Sequence, residues 1–145
     1  MADDIHIRIA DSFAKQGLMA TLGASVVRVE AGTVVISMPF SPHLSQQHGF
    51  AHAGAITSIV DSACGYAALT LMPENAAVLT SEFKINLLAP AIGERFEAEG
   101  RVLRAGRRVH VAMGDVFAIS GQSRKHIAVM LATLMVIEGE SSLKS

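Results

Sequence analysis

From Ala53 to Met72 the chain carries a single charged side chain, Asp61, and the stretch is stopped by Pro73. A proline removes the backbone donor and blocks helix continuation, so this segment reads as one helix ending there. Projected at about 100° per residue, Ile56, Ile59, Val60, Ala63, Ala67 and Leu71 gather on one broad side. Gly54, Thr57, Ser58, Asp61, Cys64, Gly65 and Ala68 fall on the other. Neither side is a lysine-and-glutamate face, so protein must surround such a helix. The first side is expected to pack on a sheet. The second, a lane of small residues, would admit a neighbouring helix or a slender ligand.

The rest of the chain supplies the sheet. Runs at 26–30 and 33–39, separated by Ala31-Gly32, predict a hairpin. A loop follows over 40–51, and four further strands are expected at 77–88, 94–103, 108–120 and 124–137. Arg95-Phe96-Glu97-Ala98-Glu99 alternates, so one face of its strand is wet. The last run is apolar on both faces, with Ile127, Val129, Leu131 and Met135 opposing Ala128, Met130, Leu134 and Val136. Such a strand is central, or its outer face meets another subunit. Upstream, Asp3 and Asp4 are expected to cap a short first helix with Ile5, Ile9 and Phe13 as its buried stripe and Gly17 as its end. The expected class is α+β: one domain over 1–145, an antiparallel sheet wrapped around one long helix.

Composition narrows the function. Charged residues make up 17% of the chain, below the usual figure of about 25%, which predicts an oligomer that hides apolar surface. Net charge is −1 and the basic residues form no run, which disfavours nucleic acid as a partner. The lone Cys64 forms no internal disulfide, and no Cys/His spacing suggests a metal site. An acidic N-terminus is unlike a signal peptide, and the longest apolar run, 127–137, is short for a bilayer span. These features predict a cytoplasmic protein without a membrane partner.

The loop Gln46-Gln47-His48-Gly49-Phe50-Ala51-His52-Ala53-Gly54 runs into the helix. A helix N-terminus offers unpaired N–H groups and a positive dipole end. Asp61, two turns on among apolar neighbours, is a charge in an expensive place. Burial would raise its pKa and hydrogen bonds to its charged form would lower it. Amides suited to a carbonyl oxygen beside such a carboxylate suit acyl chemistry. His48 is a weaker site candidate, and His6, His43, His110 and His126 read as surface or packing residues. Cys64 is rejected as a nucleophile, because a nearby carboxylate opposes thiolate formation.

The segment Gln46-x-x-Gly49-x-x-His52-Ala53-Gly54, with Asp61 nine residues after His52, resembles the signature of hotdog-fold acyl-CoA thioesterases. It is most similar to the PaaI-like branch, related to 4-hydroxybenzoyl-CoA thioesterases. The similarity continues through Leu79-Thr80-Ser81-Glu82-Phe83-Lys84-Ile85-Asn86, Leu88-Ala89-Pro90 and Arg104-Ala105-Gly106-Arg107. Gln46 replaces the asparagine of the family loop, and Ala53 the middle glycine of His-Gly-Gly.

The resemblance implies hydrolysis of an acyl- or aryl-CoA thioester. The amides of Ala53 and Gly54 would polarise the carbonyl, and Asp61 would serve as general base or nucleophile. Gln46 would orient the water or thioester, His52 would brace the loop, and Thr80 would help hold the attacking water. Gly49 and Phe50 would border the substrate, and Arg104, Arg107 and Arg108 would meet the phosphates of CoA. Asp61 would come from the subunit facing the one that supplies Gln46 and His52, so a homodimer is expected, pairing into a homotetramer. Coenzyme A enters as part of the substrate, with no metal, flavin or nicotinamide. The rival readings are a hotdog dehydratase or hydratase and a non-catalytic acyl-CoA-binding module.

Overall fold

The apolar stretch forms α3 (Ala53–Leu69), and the strands close around it in the computed structural model, which describes residues 2–138. Ahead of it lie α1 (Ala2–Ala14), α2 (Gly17–Leu22), β1 (Ser25–Glu30), β2 (Thr33–Pro39) and a short 3-10 turn, Pro42–Leu44. After it come β3 (Ala77–Leu87), β4 (Arg95–Ala105), β5 (Val109–Ser120) and β6 (Ser123–Ile137). One antiparallel sheet runs in the order β1-β2-β4-β5-β6-β3. The helix packs against β2 through β6. The expected class, α+β with a sheet around a long helix, is the one observed.

Two glycines explain how close the helix lies. A Cβ added at Gly100 in β4 would stand 2.4 Å from the Ala63 backbone. At Gly114 in β5 it would stand 2.4 Å from Val60 Cγ2 and 2.9 Å from Cys64 Sγ. The strands therefore reach round to small residues expected to face away from the sheet. Cys64, Gly65 and Ala68 are buried, with Cys64 pressed against the sheet, while Asp61 and Gly65 still border a cleft. Only Thr57, Ser58, Asp61 and Ser62 in this part of α3 remain half-buried. The helix also stops early, with Thr70 as its C-cap. Leu71 lies beyond that end and is 42% exposed, so it is not part of the packed side.

Four carbonyls around that end converge on one side chain. Arg8 of α1 donates to the carbonyl oxygens of Leu69, Met72, Pro73 and Ala76 at 2.7–3.3 Å. Cations stabilise the negative end of a helix dipole, and here one ties α1 across the end of α3. The α1 stripe behaves as expected, with Ile9 fully buried and Ile5 and Phe13 packed against the core. Its ends do not. Asp4 sits inside the first turn of α1 rather than ahead of it, and the Asp3 side chain lies outside the described residues. Gly17 opens α2 instead of closing α1; it is Gly23, at φ +68°, that caps α2.

β6 is central, between β5 and β3. Ala128, Met130, Ala132 and Leu134 face the core, while Val129, Leu131 and Met135 face outward. Ile127 departs from the expected alternation: a register shift against Val116 and Phe117 turns it inward, and it is buried. A bulge inserts one residue and swaps the face of its neighbour. β3 is an edge strand, exposed along nearly its whole length, with Leu79, Phe83 and Leu87 each more than 40% exposed.

Candidate active site

The loop before α3 is held by its own polar groups. Gln46 Oε1 accepts from the amides of His48 at 2.6 Å and Phe50 at 3.2 Å. The turn between them places Gly49 at φ +87°, a conformation that favours glycine. With its oxygen committed to the loop, Gln46 presents only its NH2, a donor, to a ligand.

His52 is the N-cap of α3, and its Nδ1 accepts the Gly54 amide at 2.7 Å. The amides of Ala55 and Ile56 bond the His52 carbonyl. Gly54 was expected to offer its N–H to a carbonyl; that donor is already used by the cap. Among the described residues, the Ala53 amide is the one in this first turn without an internal acceptor. Gln46, Phe50, His52, Ala53, Ile56 and Leu88 border a cleft of about 480 Å³.

The expected carboxylate lies further along the same helix. Thr80, near the start of β3, donates from Oγ1 to Asp61 Oδ1 at 2.8 Å. Burial pushes the Asp61 carboxyl above its ordinary value, and the Thr80 hydrogen bond opposes that rise. Asp61 and Thr80 open onto a separate cleft of about 360 Å³, bordered also by Ser12, Gln16, Ser62 and Tyr66. Cys64 is buried with its thiol pushed up to about 12, first by burial and then by Asp61, which leaves it inert.

Within one chain the two clefts are separate. Asp61 lies eight positions after Ala53 on the helix, an axial rise of about 12 Å. Arg104, Arg107 and Arg108 are exposed at the β4–β5 turn and border neither cleft. The turn stands at the Asp61 end of the sheet, where His110 pairs with Leu134 and Leu134 with Thr80. His48 is exposed on the loop, its ring 6.4 Å from that of Phe50.

Sequence reasoning missed several groups. Arg8 stands beside an apolar stripe with no spacing that marks it as a helix cap. Tyr66 carried a usable signal, since a buried tyrosine hydroxyl on an apolar helix needs a partner; it has two, Ser12 and Gln16. His126 is not an isolated histidine: its Nε2 lies 2.8 Å from Asp115 Oδ1.

A long helix embraced by a six-stranded antiparallel sheet, with a capped helix start and a carboxylate on the helix, is the hotdog architecture of PaaI-like thioesterases. The family described as the thioesterase superfamily matches residues 48–124, and the chain belongs to that family. A thioesterase family protein from Silicibacter pomeroyi is 48% identical, and its crystal structure superposes with a TM-score of 0.91 over 93% of this chain and 99% of that one. The Escherichia coli PaaI protein, from the phenylacetic acid degradation operon, superposes with a TM-score of 0.86 over 95% of this chain and 96% of that one. At 19% identity it is a likeness of fold. An inferred esterase of Saccharolobus solfataricus is 38% identical over 90 residues, 62% of this chain and 64% of that protein. The chain thus spans a little under two thirds of that relative's length.

Proposed function

We propose that the protein hydrolyses an acyl- or aryl-CoA thioester to the free acid and CoA at a site built from two copies of the chain. The observation that carries this reading is the division of the site along α3: a free Ala53 amide at the capped N-terminus and a Thr80-bound Asp61 about 12 Å further on. The exposed β3 edge offers the means of joining them. Pairing two β3 edges antiparallel sets the start of one strand, with Thr80 and Asp61, beside the end of the other. That end carries Leu87 and Leu88, which border the Gln46 and His52 cleft. It would also cover Phe83 and Leu87, 43% and 54% exposed in the single chain. Leu131 and Val109, 49% and 40% exposed on the outer face of the sheet, suit contact between two such dimers.

In the composite site the thioester oxygen lies against the Ala53 amide of one copy, with the Gln46 NH2 as a second donor. Asp61 of the other copy takes a proton from water through the oxygen that Thr80 leaves free. The water oxygen attacks the carbonyl carbon, and the donors and helix dipole stabilise the oxyanion. Collapse expels CoA as thiolate, which is protonated on leaving. His52 holds the loop and uses the Gly54 amide for that purpose. Gly49 and Phe50 shape the entrance. We assign the phosphates of CoA to Arg104, Arg107 and Arg108, which are exposed at the Asp61 end of the sheet. Among the described residues no helix is long and apolar enough to cross a membrane, and we assign the enzyme to the cytoplasm.

The test is thiol release from a panel of aliphatic and aromatic acyl-CoAs. Turnover that disappears in Asp61→Asn supports the reading. Full activity in that variant, or binding of acyl-CoA with no turnover by the wild type, overturns it.

A further inference from the structure

The cleft that holds Asp61 has a wall the hydrolytic step does not use. Ser12 of α1 and Gln16, just after it, meet Tyr66 of α3 there. The Tyr66 hydroxyl lies 3.0 Å from Ser12 Oγ and accepts from Gln16 Nε2 at 2.7 Å. Its ring packs on Phe13 with centroids 6.1 Å apart. Ser12 and Tyr66 are buried, which fixes the cluster, whereas Gln16 stays half-buried at the cleft. Tyr66 lies five positions after Asp61, an axial rise of about 7.5 Å. The cluster therefore stands on the far side of Asp61 from the start of its own helix. Ser12 and Gln16 precede residues 48–124, so they lie outside the stretch that defines the family.

Hydrogen-bond capacity remains here. Gln16 uses one N–H on Tyr66 and keeps a second N–H and its Oε1. A plain alkyl chain in the cleft would strip water from these groups and return nothing, which is costly. A hydroxyl or carbonyl would replace the lost bonds. A second carboxylate would face the charge of Asp61.

We propose that Gln16, anchored by Tyr66 and Ser12, determines specificity: it selects acyl groups ending in a neutral hydrogen-bonding group over alkyl chains of the same length. This rests on the thioesterase reading above, with the reacting carbonyl at Asp61. Ser12 and Tyr66 position Gln16 and do not touch the reacting atoms.

The test compares hexanoyl-CoA with ω-hydroxyhexanoyl-CoA, by thiol release, in wild type, Gln16→Leu and Tyr66→Phe. The ratio of the two kcat/KM values is the readout, because loss of folded protein affects both substrates alike. The wild type should favour the hydroxylated substrate. Gln16→Leu should lower that ratio about tenfold, chiefly through KM, as the loss of one buried hydrogen bond implies. Tyr66→Phe keeps the ring on Phe13 but frees Gln16, and should lower it in part. An unchanged ratio in Gln16→Leu overturns the inference, as does a wild type that cleaves acyl-CoAs but not the hydroxylated probe. Thiol release from no acyl-CoA at all would overturn the thioesterase reading, and this inference with it.

Discussion

The Thr80 hydroxyl donates to Asp61 at 2.8 Å, joining the edge strand β3 to the helix it helps enclose. The bond steadies a carboxylate that the fold otherwise penalises, and it leaves one oxygen free. The fold thus resists the charge on Asp61 that the proposed hydrolysis requires.

Asp61→Asn should abolish most turnover, by about 10²–10⁴-fold, while making the protein more stable near neutral pH. Burial raises the carboxyl above its ordinary 3.8, so the folded state holds the proton more tightly than the unfolded chain. Stability is then lost as pH rises from about 3.8 through the raised folded value, and the full penalty stands above it. Thermal melts should give the variant the higher Tm at about pH 7, with the gap closing toward acid.

The pH–rate profile should carry the same signature. If Asp61 must be ionised to act, kcat/KM rises with pH through a midpoint above the ordinary carboxylate range. Thr80→Val removes the one hydrogen bond that favours the charged form, so its midpoint should move further up. A midpoint that stays put or falls would contradict the role assigned to Thr80.

Ala53→Pro deletes the proposed oxyanion donor selectively. Proline is favoured at the first helical position, and His52, at φ −65° and ψ 139°, already has the backbone that precedes a proline. The variant should fold and lose roughly 10²–10³ in kcat. Mixed with Asp61→Asn and reassembled, it should recover about a quarter of wild-type turnover, because half of the two-fold dimers then hold one intact composite site. Failure to complement would place both groups in the same chain's site.

Phe83→Asp should separate the subunits. A charge on the 43% exposed core-side position of β3 would be buried in the proposed edge pairing. Sedimentation should show the smaller species with circular dichroism unchanged and hydrolysis lost. An active monomer would refute the shared site.

Gly100→Ala tests the close approach of sheet and helix. Its methyl would stand 2.4 Å from the Ala63 backbone, and overpacking of this kind costs about 1–3 kcal/mol. Chemical denaturation should show the lower midpoint.

Much of this could be read along the chain because it depends on local chemistry. The apolar run with its stop at Pro73, the alternation in β4, and the polar loop entering a helix each leave a periodic or compositional mark. The misplaced elements depended on distant partners. Ile127 turns inward because of a register shift against β5, and Cys64 is buried where Gly100 and Gly114 let the strands come close. The carbonyls at the end of α3, past its C-cap Thr70, are met by Arg8, more than sixty residues earlier in the chain.

By itself, then, the sequence determined that one long helix would be enclosed by an antiparallel sheet, and which residues stood at its start and beside its carboxylate. Periodicity and the cost of burying charge are properties of neighbours along the chain. Only the tertiary structure decided that the Gly54 amide belongs to His52, leaving Ala53 as the free donor. Only it showed that α1 walls the cleft of Asp61. Hydrogen bonds have one donor and a definite direction, and which acceptor wins is settled by positions in space.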